Sequence, residues 1–262
     1  MKAKLFDKKG KERGTIELPK NFNFVIREDI LSKVYEALKG SFSQAYGIKE
    51  GAGAGYSASG IIKKRRHDWK ASYGKGISRI PRKVMSRHGS SFNWIGATVS
   101  STRGGRRPHA PRSIKNTFKK INRKELLIAF NSALTGTVDK KSIEKKYGRA
   151  IESGFVFSGD VLSIKTKEFV DLLKRIFGKD EIKNVLKNKS IRAGIGKMRG
   201  RKYKSNAGLL FVIGNEEKMK RKGIDIVKVK ELNIKDLCPN GEPGRITCYT
   251  ETAIKEIEER FK

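Results

Sequence analysis

The feature that most limits what this chain can fold into is the stretch from Gly51 to Phe118. Its 68 residues hold fifteen Lys and Arg, ten Gly and one acid, Asp68. Neither a helical nor a strand period persists through it. Like charges at this density repel one another, and no apolar stripe offers them a core. Such a segment is expected to stay extended unless a partner offsets the entropy of ordering it. Folded back as a hairpin, each limb has about 34 residues and reaches at most about 110 Å at ~3.3 Å per residue. That exceeds the diameter of a domain built from the rest of the chain, so the segment fits a probe that penetrates something large. A structureless loop of this length normally argues against its own assignment. Here globular patterning resumes at once on the far side.

The excess of positive charge extends beyond this segment. Lys and Arg total 60 against 27 Asp and Glu, a net +33 in 262 residues. That balance points to a polyanionic partner, either nucleic acid or an anionic membrane surface. The membrane reading is the weaker, because the basic segment contains no amphipathic helix with an apolar face. The longest near-apolar run, Ala207 to Gly214, is far short of a bilayer span, and Met1 to Gly10 has no signal-peptide core. Two cysteines, Cys238 and Cys248, are too few for a disulfide framework or a four-Cys zinc site. They read as incidental thiols in a reducing cytoplasm. His67, His88 and His109 are isolated from them, so no metal or other cofactor is expected.

On either side of the basic segment the chain reads as α/β. Ala3–Asp7 and Thr15–Leu18 look like two strands around a charged turn. A helix from about Arg27 to Tyr46 carries the stripe Ile30, Leu31, Val34, Tyr35 and Leu38. Asn122 to Glu125 resembles a capping box opening a helix with the stripe Leu126, Leu127, Phe130 and Leu134. A short helix spans Asp139–Tyr147, and Phe155–Phe157 is a short strand. Thr166 is placed to cap a helix carrying Phe169, Leu172, Leu173, Ile176 and Phe177. A further helix holds Ile182, Val185 and Leu186. Leu209–Ile213 is a continuous apolar run, as for a strand covered on both faces, and Ile224–Val229 is another strand. A last helix starts near Thr250 and carries Ile254, Ile257 and Phe261. The alternation predicts a single Rossmann-like domain, a mostly parallel sheet flanked by helices, plus a very long basic insertion loop. The expected division is 1–50 and 119–262 for the α/β domain, with 51–118 as an extended basic insertion.

Two segments carry candidate chemistry. In the insertion, Lys63, Lys64, Arg65 and Arg66 form a basic run, and Lys75, Arg79, Arg82, Lys83 and Arg87 follow at short intervals. Arg103, Arg106, Arg107 and Arg112 lie on the returning limb, with Trp69, Tyr73, Phe92 and Trp94 interleaved. Arginine binds phosphate bidentately, and aromatic or guanidinium planes stack on splayed bases. The second segment, Lys189–Lys204, contains Lys197, Arg199, Arg201 and Lys202 among seven cations and no acid. Its glycines do not make a P-loop. Gly51, Gly53 and Gly55 fall short of a dinucleotide fingerprint and read as a flexible hinge. No paired carboxylates occur in the insertion and no nucleophile elbow occurs anywhere, so catalytic residues are not expected.

Three stretches resemble one family. They are Gly76-Ile-Ser-Arg-Ile-Pro81 with Arg103-Gly-Gly-Arg-Arg-Pro-His-Ala-Pro111, then Arg192-Ala-Gly-Ile-Gly-Lys-Met-Arg-Gly-Arg-Lys-Tyr203 running into Leu209–Ile213, then Gly244-Arg-Ile-Thr-Cys-Tyr-Thr-Glu-Thr-Ala-Ile254. In this order and spacing the chain resembles the ribosomal large-subunit protein four family, archaeal and eukaryotic type. The resemblance implies a structural, non-enzymatic protein of the cytoplasmic large ribosomal subunit that binds and organises its rRNA. It implies neighbouring ribosomal proteins as partners, protein twenty-two among them. It also implies an insertion that lines the nascent-peptide exit tunnel, with the growing peptide passing its tip. By position that tip comprises Arg87, His88, Phe92, Trp94 and Thr98. The competing reading is an RNA-modifying enzyme on a Rossmann-like scaffold. It needs a glycine-rich loop after the first strand, where Lys8–Gly14 is short, charged and leads to another strand. A DNA-compacting protein needs no large α/β domain.

Overall fold

The computed structural model describes residues 1–262 except 59–62, 64, 150, 153, 179 and 261–262, with Phe92 described through its backbone alone. The chain divides into two compact units. One joins Met1–Phe42 to Phe118–Lys262, and the other is Ser43–Thr117.

The larger unit is built on six strands: β1 (Lys2–Phe6), β2 (Glu12–Glu17), β5 (Phe155–Phe157), β8 (Leu210–Ile213), β9 (Asp225–Lys228) and β10 (Thr247–Thr250). Their spatial order is β2-β1-β5-β10-β8-β9. Only the β1–β2 hairpin is antiparallel; every other pair is parallel. Parallel strands need helical crossovers, and these cover both faces of the sheet. The strand period of two then sends alternate side chains into two separate apolar layers. Val156, Leu210, Val212 and Tyr249 face α1 (Glu28–Phe42), α2 (Arg123–Val138), α6 (Ile234–Leu237) and α7 (Glu251–Arg260). Phe155, Phe157, Phe211, Ile213 and Cys248 face α3 (Lys140–Tyr147), α4 (Thr166–Phe177) and α5 (Ile182–Val185). The mostly parallel sheet flanked by helices is therefore the one the alternation predicts.

Several local expectations need correction. The first helix stops at Phe42 rather than Tyr46. Asn122 precedes α2 but makes no side-chain cap bond. Lys165, not Thr166, occupies the cap position of α4. Of the α2 stripe, Phe130 and Leu134 are buried, but Leu126 and Leu127 are exposed. Burial falls instead on the second half, from Ala129 through Thr137. There small and hydroxylated residues tie down a neighbouring segment. The Phe24 N–H donates to Thr135 Oγ1 at 3.1 Å, and Ser132 Oγ donates to the Val25 carbonyl at 3.1 Å. Thr137 Oγ1 donates to the Leu134 carbonyl, leaving its lone pairs for the buried Tyr249 hydroxyl at 2.9 Å. The centre of the sheet also holds a strand the sequence reading omits. β10 reads Thr-Cys-Tyr-Thr, and Thr250 closes that strand instead of opening α7. Phe261 lies outside the described residues.

The smaller unit contains a two-stranded hairpin, β3 (Arg82–His88) and β4 (Ser91–Gly96), in place of the uniformly extended chain expected there. Ala71, Trp94 and Ala97 are buried within this unit, so the segment does assemble a small apolar cluster.

Candidate nucleic-acid interface

The smaller unit carries 16 Lys and Arg against two acids, a net +14 in 75 residues; the larger carries +19 in 187. Its outgoing and returning limbs lie side by side. The Ile48 N–H donates to the Pro111 carbonyl at 3.2 Å. At Gly53, at φ +79°, an added Cβ would lie 2.7 Å from the backbone of Arg106, and at Gly105 it would lie 1.9 Å from the Val99 carbonyl oxygen. Glycine is required at these two positions by close approach of two backbones, so of Gly51, Gly53 and Gly55 it is Gly53 that has a packing role, while an added Cβ at Gly51 or Gly55 would meet nothing within 4 Å.

Trp94 anchors the hairpin. Its ring meets Trp69 edge-on at 5.8 Å, and the Lys75 ammonium sits 4.7 Å above it while donating to the Ala71 carbonyl at 2.9 Å. Arg82 donates to the Trp94 carbonyl at 2.6 Å and to the Ser78 carbonyl at 2.7 Å. Two candidates for RNA contact, Lys75 and Arg82, thus hold the unit together. Two others lie on aromatic rings: Arg79 is 4.7 Å from Tyr73, and Lys83 is 4.2 Å from Tyr56. These contacts preset where the cations stand. Tyr56 was not among the sequence candidates; its only signal was an aromatic beside the glycine run.

The remaining insertion candidates face outward. Lys63 and Arg65 each lie 3.9 Å from the Asp68 carboxylate, at exposed positions where such pairs contribute little. Arg66, Arg103, Arg106, Arg107 and Arg112 are exposed, and Lys64 lies outside the described residues. The five candidate tip residues do not sit together. Gly89 and Ser90 form the β3–β4 turn, flanked by the pairs His88–Ser91 and Arg87–Phe92. Arg87 donates through Nε to the Gly89 carbonyl at 2.9 Å and closes the turn. Trp94 pairs with Met85 further down and is buried, and Thr98 lies past the end of β4. Thr98 has φ +59°, a strained conformation for a β-branched residue. The Val99 N–H to Ala97 carbonyl bond at 2.7 Å and the Arg106 N–H to Thr98 carbonyl bond at 3.0 Å hold it there.

The second candidate segment is also a hairpin, in the larger unit. β6 (Lys189–Ile191) pairs with β7 (Tyr203–Ser205) around a 3₁₀ turn at Ile195–Arg199, and Lys197, Arg199, Arg201 and Lys202 are all exposed. Its base is held by Arg245, which has no signal in the sequence beyond its place in the stretch Gly244–Ile254. Arg245 is 3% exposed and fully engaged. It donates to the carbonyls of Ala207, Gly208 and Asp236 at 2.6–3.0 Å and pairs with Asp225 at 2.6 Å. Lys187 pairs with the same carboxylate. Burial pushes the Asp225 carboxyl up, but hydrogen bonds from Lys187 and Arg245 outweigh it, and the net direction is down.

A Rossmann-type enzyme uses a strand end running into a helix start, such as that from β10 into α7, to hold phosphate. The Glu217 carboxylate fills that position beside the start of α7. It accepts from the Gly214 N–H at 2.7 Å, from Thr250 Oγ1 at 2.7 Å and from Thr252 Oγ1 at 2.6 Å. Both cysteines are buried free thiols, and burial pushes Cys238 up to about 12, well away from a reactive thiolate. Among the described residues no group of three or more His, Cys, Asp and Glu is arranged to hold a metal ion. No helix there is long and apolar enough to cross a membrane.

Comparison with known proteins agrees with these features. The model of the ribosomal protein L4/L1 family matches residues 16–260. The chain is similar to the large ribosomal subunit protein uL4 of Nanoarchaeum equitans, 35% identical with 99% of this chain and 98% of the relative covered. The uL4 of Thermoplasma volcanium is 36% identical over 98% of each chain, and that of Haloquadratum walsbyi is 32% identical over 99% and 100%. A basic two-hairpin protein on a filled α/β scaffold, matched along nearly its whole length, thus belongs to the ribosomal protein L4/L1 family.

Proposed function

We propose that the Ser43–Thr117 unit binds and organises large-subunit rRNA, lines the nascent-peptide exit tunnel beside protein twenty-two and assists subunit assembly. Family membership supplies the broader frame: a structural, non-enzymatic protein of the cytoplasmic large ribosomal subunit, with rRNA and neighbouring ribosomal proteins as its partners. No cofactor is needed for such a role. The observation that carries the finer reading is charge segregation, +14 in 75 residues with exposed Arg66, Arg103, Arg106, Arg107 and Arg112. Each bound phosphate releases counterions, and that release is the driving force for association. The hairpin turn at Gly89–Ser90, with Arg87 and His88, is the part we assign to the tunnel wall, where the nascent peptide passes. Of the second segment, Lys197, Arg199, Arg201 and Lys202 are assigned to rRNA phosphates. The RNA-modifying enzyme is not favoured, because the family is structural and Glu217 occupies the phosphate position.

Sedimentation of the tagged chain from lysate tests this at low and high salt. A surface phosphate binder with about 6–10 contacts loses roughly a thousandfold or more in affinity between about 50 and 200 mM salt. Comigration with large subunits that survives high salt is the expected result. Protein stripped by salt contradicts a segment threaded through folded RNA.

A further inference from the structure

The β6–β7 hairpin has apolar side chains where a phosphate-binding element has no use for them. Met198 is 81% exposed, Ile195 65%, Ile191 63% and Tyr203 56%. They stand among seven cations with no acid between Lys189 and Lys204. The turn that presents Ile195 and Met198 is set by the chain itself. Arg192 spans the hairpin through its backbone N–H to the Lys202 carbonyl at 2.8 Å and through Nε to the Arg201 carbonyl at 3.2 Å. The Arg201 N–H donates to the Gly196 carbonyl at 3.1 Å, and Gly194 and Gly200 bracket the turn at φ +76°. At the base, the Asn188 N–H donates to the Asn206 side-chain oxygen at 2.7 Å, and Arg245 fixes Ala207 and Gly208. An apolar tip on a braced, acid-free stem is the wrong surface for continuous A-form duplex, whose outer surface offers phosphates and hydroxyls. It matches base faces that have left the stack, with cations beside them for the flanking phosphates.

We infer that the β6–β7 hairpin is a preformed reader of unpaired RNA: Ile195 and Met198 pack on the faces of unstacked nucleotides, Tyr203 extends that apolar surface, and Lys197, Arg199, Arg201 and Lys202 hold the flanking phosphates. This rests on the rRNA-binding reading above and adds the class of RNA structure recognised. Arg192 is a positioning residue, its Nε donating to the Arg201 carbonyl across the hairpin.

The test uses the full-length chain with a benzophenone amino acid at position 198, supplied to cells that depend on it, followed by purification of large subunits and irradiation. Crosslinks are mapped and compared with chemical probing of base pairing in the same subunits. Crosslinks concentrated on nucleotides without Watson–Crick partners are expected. Crosslinks to a protein, to continuous duplex, or none at all from subunits that contain the chain would overturn the inference and leave the rRNA-binding reading standing. Absence of the chain from subunits removes both. An in vitro arm compares a duplex RNA with the same duplex carrying a three-nucleotide bulge. Ile195→Ser with Met198→Ser should weaken the bulged RNA about tenfold and the duplex less than about twofold. Equal losses on both would also overturn it.

Discussion

The two units place their charge and their apolar surface in opposite ways, although one chain supplies both. The larger unit buries both faces of a six-stranded sheet in two apolar layers. Its exposed cations are interspersed with 25 acids, several of them in ion pairs. In the smaller unit Trp94 and two alanines are buried, and two acids face sixteen cations. Apolar burial at about 25 cal/mol per Å² stabilises the first without any partner. In the second, the same sum is small and self-repulsion opposes it, so on the proposed reading a bound polyanion adds to its order.

Mutations at the two cores should separate these sources of stability. Phe211→Ala removes a ring buried in the layer with Phe157 and Phe169. It should cost about 3–5 kcal/mol in denaturant unfolding of the free protein. Trp94→Ala should leave that transition unchanged and instead raise protease cleavage within 43–117; a large shift of the main transition would contradict separate stabilisation. Arg245→Met tests the polar seam of the scaffold. It leaves the Ala207, Gly208 and Asp236 carbonyls and Asp225 short of a buried donor, for a loss of about 3–5 kcal/mol.

On the binding side, replacing Arg103, Arg106 and Arg107 together by Ala should flatten the slope of log affinity against log salt by about 2 to 3. No change of slope would mean that these arginines do not meet phosphate. Smaller effects belong to the scaffold. Tyr249→Phe leaves a lone pair of Thr137 without its donor and should cost about 1 kcal/mol. Acid should weaken the Asp225 cluster in a definite direction. The folded carboxyl is held below its unfolded value of about 3.9, so its contribution is complete above that pH and fades as pH falls through the lower, folded value. Asp225→Asn should therefore flatten the stability profile below about pH 4, measured by urea unfolding across pH.

The apolar elements were readable in the sequence because their chemistry and their period agree. Leu209–Ile213 and, in the α4 stripe, Phe169, Leu172, Leu173 and Phe177 are buried as patterned, with Ile176 half-buried beside them. Elements that reach the core through hydrogen bonds were not readable. β10 sits at the centre of the sheet with Thr247 and Thr250 wholly buried, their hydroxyls donating to the Arg245 carbonyl and to the Glu217 carboxylate, partners that no strand pattern reveals. The second half of α2 is buried all round, Phe130 and Leu134 as the stripe predicts but Ser132, Thr135 and Thr137 through hydrogen bonds that the hydrophobic pattern does not show. Within the candidate interface, the exposed arginines were legible from charge alone. The structural use of Lys75 and Arg82 was not, because carbonyl acceptors have no sequence signature. The basic hairpins were hidden for a related reason: β6 and β7 are only three residues each, and β3 carries Arg82, Lys83 and Arg87 in place of an apolar alternation.

Hydrogen exchange on the free protein and on purified large subunits measures the difference between the units most directly. In the free protein, amides of Leu210–Ile213 and Cys248–Tyr249 should be protected to the level of global unfolding. Those of Arg82–Gly96 should exchange orders of magnitude faster and become protected only in the subunit. Equal protection of both sets in the free protein would show that the smaller unit is stable by itself, and would contradict a segment whose order is supplied by RNA.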